Sequence, residues 1–164
     1  MHKFIMINLK NKSVLPYLNT TVDFEKSFGE IQKLLMKFGC SDLMTRRQPS
    51  IVPNPDLKLN CDLYTIGFMQ NGNRFLIEFP VFIISLKNGE KRVNMKASGR
   101  AMFNKIKSLL VDVELEFLSF EQAMMPFQLI SDGSGKNQTI SEYVDIHRAE
   151  MYSGKHMFML GSGN

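Results

Sequence analysis

The chain of 164 residues carries 20 Lys and Arg against 16 Asp and Glu, with 44% hydrophobic and 22% charged residues. That length fits one domain able to bury roughly two-thirds of the surface it exposes when unfolded, and the balance excludes wholesale disorder, a fibre or a disulfide-stapled miniprotein. A formal net charge of +4 admits anionic partners without demanding them.

The opening MHKFIMINLKNK has one short apolar piece, with Lys10 and Lys12 where a cleavage region would begin, so no secretory signal is expected. No run approaches the roughly twenty apolar residues of a membrane span. Cys40 and Cys61 form no C-x-x-C unit, and a reducing, cytoplasmic setting is expected. Phe4–Leu9 alternates weakly as a strand, Pro16 marks a loop or edge, and Thr20–Phe24 reads as a second strand. Ser27-Phe-Gly-Glu30 has the form of a capping box, which predicts a helix over 28–38 with Phe28, Ile31, Leu34, Leu35 and Phe38 on one face and Gly39 as its left-handed end.

From Cys40 to Pro55 the prolines predict a loop with a short strand near Leu43–Arg46. Leu57, Leu59, Cys61 and Leu63 then alternate with polar residues, and a strand running on to Met69 is predicted. Asn71-Gly72 supplies the positive φ angles of a tight hairpin turn, Arg74–Phe79 returns, Pro80 ends that strand, and Val81–Leu86 reads as another before the turn at Lys87-Asn-Gly89. Met95–Phe120 has the longest clean helical period. Asn94 is its N-cap, 95–118 its span, and Met95, Gly99, Met102, Phe103, Ile106, Leu109, Leu110, Val113 and Phe117 its core face. Ser119-x-x-Gln122 and Thr139-x-x-Glu142 predict two further helix starts, the first cut short by Pro126 and the second running to about Met151, with a polar turn over Ser131–Asn137 between them. The expected fold is α+β: a small antiparallel sheet of two, three or more strands, packed on one face by two helices, with short C-terminal helices. The expected domain is 1–154, followed by a tail over 155–164.

The order Glu30-Ile31, Leu34-Leu35, Phe38-Gly39, Phe79-Pro80, Arg100-Ala-Met-Phe103, Ile106-Lys107, Ser119-Phe120-Glu121, Met125-Pro126-Phe127, Asp132-Gly133, Thr139-Ile140 and Glu142-Tyr143 resembles a family of small bacteriophage and prophage proteins over about residues 20–145. The chain departs from that pattern in a longer loop at Ser134–Gln138 and after Arg148. The resemblance implies a viral or virus-derived protein in the host cytoplasm, and it supplies no catalytic residues.

Chemistry-bearing patterns are scarce. His2, His147 and His156 have no metal-ligand spacing with one another or with the cysteines, so no metal site is expected. Gly133-Ser-Gly-Lys136 fails as a phosphate loop, because Ile130 stands where the first glycine belongs and Asn137 replaces the magnesium-binding hydroxyl. Asp112, Glu114 and Glu116 are spaced two apart and point to different helix faces. Neither an enzyme nor a cofactor is expected.

A binding surface remains. Lys96, Arg100, Lys105 and Lys107 crowd the first half of the long helix, where its own dipole favours acids, which suggests that an external anion such as phosphate docks there. With Arg46, Arg47, Lys91 and Arg92 they could line the backbone of DNA or RNA, with Tyr64, Phe68 or Phe75 as stacking faces. The layout is similar to the double-stranded-RNA-binding arrangement. The alternative is a protein–protein module: a homo-oligomer, a virion or assembly factor, or an inhibitor of a host defence protein. Its support is the apolar tail segment His156, Met157, Phe158, Met159 and Leu160, which suits a partner's sheet edge, and the richness in methionine and phenylalanine.

Overall fold

Alternation of apolar side chains builds the first layer. In the computed structural model, which describes residues 2–8, 17–131 and 135–152, strands β2 (Ser41–Ile51), β3 (Asn60–Gln70) and β4 (Asn73–Glu78) form an antiparallel sheet in that order. Ile66 and Phe68 of β3 stand opposite Ile77 and Phe75 of β4, and all four are buried. The hairpin between them turns on Asn71 at φ 50° and Gly72 at φ 78°, the twist that two-residue hairpins require.

Onto that face pack α1 (Phe24–Lys37) and α2 (Met95–Glu114). Ile31 and Leu35 from α1 and Met102, Phe103, Ile106 and Leu110 from α2 enter one apolar cluster with the sheet, closed at its far end by Phe120, Met124 and Phe127. Phe120 and Met124 belong to α3 (Phe120–Met124), which starts on the predicted capping box at Ser119 and runs into a 3-10 turn over Met125–Phe127.

β4 runs through Phe79-Pro80 into a second sheet, where β1 (Phe4–Asn8) lies parallel to β5 (Val81–Ser85) and β6 (Lys91–Val93) antiparallel to it. Pro80 has no amide to continue the ladder, and its carbonyl accepts from the Ser98 hydroxyl at the start of α2. The unbroken apolar run of β5 reflects burial on both faces, Val81 and Ile83 to one cluster and Phe82 and Ile84 to another. A two-stranded ribbon, β7 (Leu129–Ser131) with β8 (Asn137–Thr139), leads into α4 (Ile140–Tyr152), capped by Thr139 and Glu142 as their spacing predicts.

The α+β class stands, but several expectations need correction. Thr20–Phe24 is no strand, and α1 starts four residues earlier than predicted, on Asp23. Ser27 caps nothing: it is fully buried inside α1, and a Cβ at Gly99 of α2 would stand 3.4 Å from its own Cβ. The small side chain there lets the two helices approach. Cys40–Pro55 is not mainly loop, because backbone pairing with β3 carries β2 through Pro49 to Ile51. The residues 57–59 precede β3, and β6 and the β7–β8 ribbon were not foreseen.

α2 stops at Glu114 instead of 118, through two bonds that close its end: Phe117 N–H to the Asp112 carbonyl at 2.9 Å and Glu116 N–H to the Val113 carbonyl at 3.1 Å. This is the Schellman arrangement, with Glu116 at φ 60° in the place where glycine is normally found. The chain therefore turns away before Phe117, which is 73% exposed and absent from the core stripe. The expected loop at Pro16, the middle of the turn at 132–134 and the tail 155–164 with His156–Leu160 lie outside the described residues.

Candidate functional site

The charges of α2 find their explanation in α1. Contacts progress in the same direction along both helices, Lys96 to Asp23 at 2.6 Å, Arg100 to Glu30 at 2.9 Å and Lys37 to Glu114 at 3.3 Å, so the two run parallel and begin at the same end. Asp23 is lowered below the usual carboxylate pKa, first by its hydrogen bond from Lys96 and then by that cation's charge. Arg100 also lies 4.3 Å from the Phe103 ring centroid, and Lys107 flanks the same ring at 6.0 Å. Lys96 and Arg100, the two cations nearest the start of α2, therefore have internal acidic partners, and the reason for placing an external anion at this helix start is removed.

The eight cations named from sequence lie on three elements and face different ways. Lys96, Arg100 and Lys107 share the α1-facing flank of α2. Lys105 sits on the other flank, 5.2 Å from the Phe127 ring centroid. Arg47 of β2 is held by Asp62 at 2.8 Å, a hydrogen bond that raises its pKa further. Arg46, the next residue along β2, points to the opposite face of the sheet. Lys91 and Arg92 belong to β6, and Arg92 shares a groove with Lys96, Asp23 and Glu25. No single basic groove is assembled from them. The proposed stacking faces are also withdrawn: Phe68 and Phe75 stack on each other in the core at 5.1 Å, and Tyr64 packs 4.2 Å from Phe24.

Among the described residues no group of three His, Cys, Asp or Glu could hold a metal ion, and no helix is long and apolar enough to cross a membrane. Cys40 and Cys61 are buried free thiols. Burial pushes Cys40 up to about 11 and Cys61 upward as well, with Asp62 adding to the latter, so both are poor nucleophiles near neutrality.

What sequence reasoning missed is β2. It is an edge strand of eleven residues, nine of them exposed, and backbone bonds to β3 do most of the work of holding it. At about 3.4 Å per residue it offers an edge on the order of 37 Å long. Register places Met44, Gly67 and Leu76 side by side on the sheet face opposite Ile66, Phe68, Phe75 and Ile77, with Arg46 and Thr65 beside them and Met69 and Arg74 on the other flank. Met44 is 72% exposed. Gly67 has no positive φ, and a Cβ there would meet nothing closer than 3.9 Å, so neither backbone conformation nor internal packing demands glycine. The sequence signal was weak because β2 lacks the period-2 alternation of a strand with one buried face. Pro49 and the adjacent Arg46-Arg47 also argued against a strand. No protein family, no curated protein and no solved structure matches the chain.

Proposed function

We propose that the chain is a non-enzymatic binding protein of phage type that takes an extended, acidic segment of a partner protein along β2. The carrying observation is the long exposed edge: main-chain amides and carbonyls on an unpaired strand edge supply affinity to any added strand, and side chains on the flanking face supply choice. Charge complementarity favours an acidic segment, since Arg46 and Arg74 on the open face have no carboxylate partner among the described residues. Met44 and Met69 beside Gly67 give an apolar strip that can adapt to the partner's side chains. Pairing of β2 with a second copy of itself is disfavoured, because an antiparallel match about Arg46-Arg47 sets guanidinium groups opposite one another.

Ten-residue peptides alternating glutamate with valine, or lysine with valine, test this by titration against the labelled protein. The acidic peptide should bind, slow hydrogen exchange along β2, and lose at least about tenfold in affinity on Arg46→Glu, a change of roughly 1.4 kcal/mol. Equal binding of both peptides, or protection elsewhere than β2, removes the proposal. A second reading, contact with a nucleic acid backbone, draws on Arg46, Lys91, Arg92, Lys105 and Lys107, which have no carboxylate within 4 Å among the described residues. An oligonucleotide bound by Z such cations should show log affinity falling with log salt at a slope of about −0.7Z for a single strand.

A further inference from the structure

We propose that the cleft between β4, β5, α2 and the start of α4 binds a small monocarboxylate with a short apolar body. This site is separate from the β2 edge, and the inference does not depend on it. The cleft holds about 260 Å³. Ordinary ligand pockets begin at roughly 300 Å³, so the cleft suits a fragment-sized molecule. Leu76, Phe82, Met102 and Phe127 supply apolar wall, and the last three are anchored in the core. Such a surface rewards displacement of its water by hydrocarbon and gives nothing to a fully hydrated ion.

Four charged side chains stand at this cleft: Lys3, Glu78, Lys105 and Glu142. Three are engaged within the fold. Lys3 reaches Asp145 at 3.3 Å, Glu142 accepts from the Thr139 amide at 2.9 Å and its hydroxyl at 3.1 Å, and Glu78 lies 3.8 Å from His2 Nε2. Lys105 has no carboxylate partner among the described residues, and its ammonium rests against the Phe127 ring. That ring holds the cation beside the apolar wall without satisfying its hydrogen-bonding capacity. One ammonium next to hydrocarbon matches one negative charge on an apolar body. A phosphate dianion would bring surplus charge toward Glu78 and Glu142, and a cationic ligand would meet Lys105 itself.

The test uses the full chain with hexanoate and its uncharged counterpart hexanol, followed by chemical-shift titration, with thermal melting to establish that each variant folds. Hexanoate should saturate with Kd on the order of 1 mM, as expected of so few heavy atoms. It should bind about tenfold more tightly than hexanol, the difference a charge-assisted contact makes. Lys105→Met should bring the two ligands to similar affinity, and Ala101→Leu, which fills the cleft, should weaken both. Absence of saturable hexanoate binding to the parent chain overturns the inference, as does a preference for hexanoate that survives Lys105→Met. If Ala101→Leu does not fold, the Lys105→Met comparison alone decides.

Discussion

Two glycines in the paired helices should respond in opposite ways to the same substitution. Gly29 lies inside α1 with nothing within 4 Å of where a Cβ would stand. Replacing it by alanine removes the helix penalty of glycine and should stabilise by up to about 1 kcal/mol. Gly99 lies inside α2, and there a Cβ would come 2.8 Å from Phe24 Cδ2 and 3.3 Å from its Cε2. Carbon atoms rest at about 3.5–4.0 Å, so the ring must retreat by roughly 0.7 Å. It has little room, being ringed by Tyr64, Phe79 and Phe28 with centroids 4.2, 5.2 and 5.6 Å away. Overpacking of this kind costs about 1–3 kcal/mol, which offsets or exceeds the same propensity gain. Urea unfolding of Gly29→Ala and Gly99→Ala should therefore separate the two by about 1–3 kcal/mol, with Gly99→Ala the less stable. If both variants gain equally, the close approach of α1 and α2 at Ser27 and Gly99 is wrong.

Glu116→Gly should raise stability by about 1 kcal/mol, because glycine accepts the left-handed conformation that Glu116 is forced into, and a gain of roughly 2–4 °C in Tm would register it; a loss would mean that the helix does not end as described. The Cys40 thiol, raised from the usual 9.0 to about 11, favours the folded state fully below pH 9 and loses that contribution as pH climbs through 11, because above pH 9 the unfolded chain has already shed the proton. Cys40→Ser should lack that slope in alkaline urea titrations, and a thiol reagent at pH 8 should modify folded Cys40 far more slowly than the denatured chain. Exchanging Asp23 and Lys96 as Asp23→Lys with Lys96→Asp should leave the urea unfolding midpoint nearly unchanged. The acid merely moves from one helix N-terminus to its neighbour. A large gain in the swapped protein would refute the compensation.

The elements read correctly from sequence are those specified by neighbours along the chain. Caps at Asn94, Ser119 and Thr139, the Asn71-Gly72 hairpin and the left-handed Gly39 depend on residues within four positions, and each was legible. Ser27 shows the limit. Its pattern with Glu30 satisfies the capping rule, yet burial against Gly99, 72 residues away, decides its place. β2 fails for the same reason, since its partner β3 supplies the hydrogen bonds and no side-chain period announces it. The end of α2 was misplaced because the stripe continues through Phe117 while the backbone does not. Glu116 carries no sequence mark of a left-handed residue.

The reversed charges of α2 show how a local rule can be kept by a pair of elements when one of them breaks it. Taken alone, Lys96 and Arg100 near a helix start are unfavourable, and an absent anion is the natural remedy. With α1 laid parallel, both starts meet at one end, and Asp23 at the start of α1 and Glu30 further along it balance Lys96 and Arg100 of α2. Asp23 makes the trade visible: it stands at the N-cap position of α1 but gives its side chain to Lys96 instead of to its own helix amides. The cations that remain without such partners, Arg46 and Arg74 on the open sheet and Lys105 at the cleft, are therefore the more informative ones for binding. None of the three has a carboxylate within 4 Å among the described residues, although Glu78 and Glu142 also line the cleft of Lys105.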